Sequence, residues 1–161
     1  NGFSDFADAV CADVLSATGR RKGGLENGMA DVVIANPPYL TPERSRTSPD
    51  PTRALAHSLG GGGIDSWMRA ASALLHPAGT LVVIQRADEL LGLLSACTGR
   101  LGAIEILPIY PKAGEPAHRV ILRGIKGSRA PTKLLPPLVV HEANGNFTTR
   151  ADALHRGEEL L

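Results

Sequence analysis

Apolar residues along this chain follow two rhythms. Some form short unbroken runs. Asp31-Val32-Val33-Ile34-Ala35 and residues 80–84 are rich in β-branched side chains, too short for a helix and bounded by turn residues. That is the pattern of strands covered on both faces in a parallel sheet. Other apolar residues recur every third or fourth position. Ile64, Trp67, Met68, Ala71, Leu74 and Leu75 share one face of a helix over residues 64–75, which His76-Pro77-Ala78-Gly79 stops. A second helix is expected over residues 87–97. Strand, helix, strand, helix in that order predicts a parallel α/β sheet with helices packed on it. Beyond Gly102 the rhythm changes. Runs at 103–109 and 119–125 are joined by a Pro/Gly-rich loop rather than a helix, so they are expected to form an antiparallel pair at the end of the sheet. Residues 138–142, the Asn144-Gly145-Asn146 turn and Phe147-Thr148 read as strand, turn and short strand before a helical tail. Near the start, residues 9–14 read as a strand and the polar, glycine-rich stretch 16–28 as a loop. Five prolines between positions 37 and 51, followed by glycines 60 to 63, make residues 40–63 mostly loop.

At 161 residues and 43% hydrophobic, the chain fits one domain, but it is short for an enzyme holding both a cofactor and a large substrate. It begins with Asn rather than Met, so a single partial domain over residues 1–161, part of something longer, is expected. Seventeen basic against sixteen acidic residues leave a formal charge of +1, so bulk charge does not signal a nucleic-acid partner and any basic surface must be local. One such stretch exists: between Lys112 and Lys133 there are six Lys/Arg residues and one acidic residue, Glu115. Cys11 and Cys97 lack the density of a disulfide scaffold, and no Cys or His spacing matches a metal site. A reduced, cytoplasmic setting and no metal are expected. No run of eighteen apolar residues and no signal-peptide order is present, so membrane insertion and export are not expected.

The residues that carry chemistry are Asn36-Pro37-Pro38-Tyr39, immediately beyond the carboxyl end of a predicted strand, where ligands bind in open α/β sheets. The two prolines hold the backbone extended and remove two N–H donors, so the Asn36 side chain and the Pro37 carbonyl can present acceptors at fixed angles. An acceptor pair suits a flat amino group such as the exocyclic nitrogen of adenine or a carboxamide. Accepting its two hydrogens favours a pyramidal, reactive nitrogen, and fixed oxygens stabilise the positive charge that develops during alkylation. Tyr39 can lie against the planar substrate, a contact worth roughly 1–3 kcal/mol per stacked base. A plain strand-terminating turn is the competing reading of the same four residues.

Asp31 to Tyr39, Thr47-Ser48-Pro49 through Ala56-His57, the helix around Trp67, Leu74-Leu75-His76-Pro77-Ala78-Gly79 and Ala117-His118-Arg119-Val120 together resemble the bacterial valine-tRNA adenine-N6 methyltransferases. The likeness covers most of the chain, including Pro137-Leu138-Val139-Val140-His141-Glu142. The Asn-Pro-Pro-Tyr element is shared with DNA adenine and release-factor glutamine methyltransferases, so it marks amino-group chemistry rather than a substrate. Protein-glutamine methylation is the nearest alternative activity, and a silent RNA-binding or assembly module the alternative of another class. The resemblance implies a Rossmann-like class I methyltransferase sheet, parallel with a C-terminal antiparallel hairpin, S-adenosyl-L-methionine as methyl donor and tRNA as partner. By position it implies Asn36, Pro37, Pro38 and Tyr39 as catalytic residues and Asp13, Val14 and Asn36 as cofactor contacts. It likewise implies His57, Arg119, Arg129 and Lys133 as substrate contacts. The chain departs from the family in having no strands with a glycine-rich cofactor loop ahead of residue 9, and Gly60 to Gly63 follows no strand. The piece is therefore expected to be inactive alone. The Asp31 to Ala35 strand should keep an open apolar edge, to be paired by a further N-terminal segment or by a second copy in a homodimer.

Overall fold

A computed structural model of the protein describes residues 6–38 and 63–159. In chain order the elements are α1 (Ala17–Lys22), β1 (Ala30–Ala35), α2 (Gly63–Leu74), β2 (Leu75–Arg86), a 3-10 turn (Ala87–Glu89) and α3 (Leu90–Cys97). They continue with β3 (Leu101–Lys112), β4 (Arg119–Lys126), β5 (Lys133–Leu134), β6 (Leu138–His141) and α4 (Thr149–His155). The six strands form one sheet in the order β1-β2-β4-β3-β5, with β6 also on β3. β1 runs parallel to β2, as the strand-helix-strand rhythm requires. β3 and β4 form the expected antiparallel hairpin, but β4 lies between β2 and β3 instead of beyond them. Its sequence explains the position: Val120 and Leu122 are 2% and 0% exposed, and only a central strand buries them so completely.

Both long helices cover one face of the sheet. Met68 of α2 with Leu93 and Cys97 of α3 pack onto Leu81, Val83 and Leu122, all 0–1% exposed. Burial pushes the Cys97 thiol up to about 11, so it behaves as an apolar core group. The first residues of β2, which follows α2 directly, depend on close approach. A Cβ on Gly79 would meet the His76 and Asp31 carbonyl oxygens at 3.0 and 3.1 Å, so glycine lets β1 lie against them. Ala78 beside it takes φ 65°, a left-handed conformation that costs an L residue about 1–2 kcal/mol. Lys126 Nζ donates to the Leu75 carbonyl at 2.6 Å and ties β4 to the same corner.

Two expectations near the N-terminus fail. Residues 9–14 form no strand: among the described residues nothing stands beside them to complete a ladder, and an apolar run without a partner stays an extended segment. The stretch 16–28 is not all loop, because α1 forms within it, capped by Ser16 Oγ accepting from Gly19 N at 3.1 Å. The two departures have one cause, since α1 packs on the extended segment. A Cβ on Gly19 would sit 2.5 Å from the Asp13 carbonyl oxygen and one on Gly23 2.8 Å from Ala12 Cβ, so both glycines are needed for the contact. β1 stands at the sheet edge, as expected, but it is not covered on both faces: Val32 and Ile34, on one face of the strand, are 55% and 80% exposed, because both long helices lie on one side of the sheet. No helix among the described residues is long and apolar enough to cross a membrane.

Candidate functional site

The carboxyl end of β1 opens on a cleft of about 240 Å³ between the strand, α2 and the segment before α1. Val33 to Asn36, Val14, Trp67 and Leu74 line it. Each element is there for a local reason. The apolar face of α2 turns Trp67 and Leu74 toward β1. Asp13 folds the chain back just before Val14, its Oδ1 accepting from Leu15 N at 3.1 Å and Ser16 N at 3.3 Å. β1 ends at Ala35, just ahead of Pro37 and Pro38, which cannot continue the ladder. Pro37 is fully buried while Asn36 and Pro38 on either side of it are exposed, so the segment is anchored at its middle residue, with Asn36 lining the cleft.

Chemically the cleft is an apolar slot with one amide at its edge. Pockets that take a whole drug-sized ligand measure about 300–1,000 Å³, so this one accommodates a single ring system. Among its described lining residues there is no carboxylate, imidazole or amine. Hydrogen-bond acceptance and apolar contact are what it can supply.

Of the residues singled out from sequence, the structure brings Val14 and Asn36 together in the cleft. Asp13 stands next to Val14, its carboxylate occupied in the turn. Arg119 lies at the same end of the sheet. It pairs in register with Arg86, and Val83, three residues before Arg86, pairs with Ala35. Arg129 and Lys133 are placed elsewhere. Arg129 follows Ser128, which packs against Gly102 at the opposite end of the strands. Lys133 sits on β5, four strand spacings or roughly 19 Å from β1, and its ammonium lies 3.6 Å from Glu105, a carboxylate that Arg123 also holds at 2.9 Å. Those two cations keep the Glu105 carboxyl below its ordinary range, the Arg123 hydrogen bond foremost. Tyr39 and His57, and the 40–63 loop as a whole apart from its last residue, lie outside the described residues. Sequence reasoning missed Trp67 as a cleft residue. It shares the apolar helix face with true core positions, and nothing in the periodicity separates the two.

No protein-family model matches the chain, and no curated protein does. Solved structures do match. A predicted O-methyltransferase from Agrobacterium tumefaciens is 32% identical, aligned over 94% of this chain and 64% of its own, with a TM-score of 0.75. A candidate DNA modification methylase from Thermus thermophilus is 17% identical over 86% of this chain and 68% of its own, with a TM-score of 0.45. A class I S-adenosylmethionine-dependent methyltransferase from Listeria monocytogenes, likewise a candidate assignment, is 16% identical over 84% and 44%, with a TM-score of 0.42. The chain thus spans just under two thirds of the Agrobacterium protein. Agreement with that protein over nearly the whole of this chain fixes the architecture as the Rossmann-like α/β sheet of class I methyltransferases, parallel at β1 and β2 with the antiparallel β3–β4 pair.

Proposed function

We propose that this chain carries the substrate side of an S-adenosyl-L-methionine-dependent methyltransferase, and that its target is the N6 amino group of adenine in tRNA. The observation that carries the reading is the placement of Asn36. It follows a strand of a methyltransferase-type sheet, lining a slot sized for one ring, on a segment held by a buried proline. The apolar lining formed by Val14, Ala35 and Trp67 fits the ring of the cofactor's adenosyl group. When bound, adenosylmethionine supplies an electrophilic methyl group. Asn36 accepts an amino hydrogen, orients the nitrogen lone pair and stabilises the charge that forms on it, while buried Pro37 holds Asn36 in place. Arg119, at the same end of the sheet, is assigned in this reading as a contact to an RNA phosphate.

The Agrobacterium protein's description as a predicted O-methyltransferase favours a second reading, transfer to a hydroxyl. Labelled adenosylmethionine offered with tRNA to the whole protein separates the two. Label is expected in N6-methyladenosine, and Asn36→Ala should lower the rate on the order of 10²–10³-fold with an unchanged melting temperature. Label on a ribose hydroxyl, or on a protein glutamine when release factor is offered instead, would overturn the adenine assignment.

A further inference from the structure

The wall of the cleft that carries Val14 is held by a buried cation. Arg20, in α1, is 6% exposed, and its Nη1 donates to the Val14 carbonyl at 2.7 Å. Its Nε finds no partner, and its guanidinium makes no ion pair, among the described residues. Burying a cation without a carboxylate costs stability. A methionine would fill the same space without that cost, so packing does not account for the arginine. What the guanidinium alone supplies is a directed, charge-assisted hydrogen bond that fixes where the Val14 peptide lies. The surrounding chain is built for the same end. Gly19 and Gly23, four residues apart, draw α1 onto residues 10–13, and the Asp13 turn leads directly into Val14.

We propose that Arg20 is a positioning residue: it holds the Val14 wall of the cleft against Asn36 so that the ring of a bound cofactor is gripped between them. The proposal rests on the cofactor reading above. α1 is then a splint for a loop that would otherwise have no ladder to hold it.

Arg20→Met and Arg20→Lys in the whole protein test this with two independent readouts. By calorimetry, R20M should bind adenosylmethionine about tenfold more weakly or worse, the effect of losing a hydrogen bond to a charged group, while its melting temperature stays level or rises. R20K keeps a cation and a donor and should retain most of the affinity. Amide exchange at Leu15 and Ser16, whose N–H groups bond to Asp13, should quicken in R20M and much less in R20K. If R20M binds as tightly as the parent with exchange unchanged, Arg20 positions nothing and the proposal is overturned. A joint fall of affinity and melting temperature in both variants overturns it equally, since that is loss of fold. If the parent protein binds no adenosylmethionine, the cofactor reading fails, and exchange at Leu15 and Ser16 alone decides whether Arg20 holds the wall.

Discussion

Both ring nitrogens of His76 face acceptors: Nδ1 meets the Pro77 carbonyl, and Nε2 lies 2.6 Å from Asp31 Oδ1. Only the doubly protonated imidazolium can donate to both. The Pro77 carbonyl first and Asp31 second therefore raise the His76 pKa above 6.5. The folded state then binds this proton more tightly than the unfolded chain, so the contribution is fully present below about pH 6.5 and is lost as pH rises through the raised folded value. The gap in melting temperature between the parent and His76→Gln should be widest in mildly acidic buffer and should close toward alkaline pH. The side chains are 39% and 90% exposed, so the gap will be small; a gap independent of pH would remove the imidazolium from the account. At this scale the sequence was legible where chemistry follows residue type, as with Asn36 between an apolar strand and two prolines. It was silent on Arg20, which stands in an ordinary polar stretch beside Arg21 and Lys22 and differs from them only in being buried.

The elements divide by whether they needed a partner. α2 reads from its own periodicity, because an amphipathic helix satisfies its backbone internally. The segment at 9–14 has as apolar a pattern as several true strands, yet a strand exists only when a neighbour completes its hydrogen bonds. α1 escaped notice because Gly19 within it lowers helix propensity by about 1 kcal/mol relative to alanine; the glycine is there for contact, not for the helix. β1 occupies the middle case. It pairs with β2 on one side and with no strand among the described residues on the other, while Val32 is 55% exposed. An open apolar edge of this kind favours association with another copy. Val32→Lys should lower self-association in light scattering while leaving the melting temperature within about a degree or two, as for a surface change. Undiminished association would show that β1 is not the surface responsible.

Across the whole molecule, the basic residues between Lys112 and Lys133 do not form one patch. Arg119 shares the Asn36 end of the sheet, Arg129 lies at the other end, and Lys133 is on the far edge beside Glu105. If tRNA runs over this surface, Arg129→Ala should weaken binding and reduce the slope of log affinity against log salt by about one phosphate contact. Lys133→Ala should do less, because Glu105 already offsets part of its charge. Neither should change the methylation rate of bound RNA, and affinity unchanged at every salt concentration would remove both residues from the interface. The sequence by itself determined the class of sheet, its main helices and the amide at the end of β1, because local hydrogen bonding, apolar period and proline geometry are properties of short stretches of chain. Only the tertiary structure decided that β4 enters the middle of the sheet, that residues 9–14 stay out of it, and that Val14, Trp67 and Asn36 meet in one cleft with Arg20 behind them. Those facts depend on which neighbours complete a ladder and on how closely two segments can approach, and neither is written in any one segment.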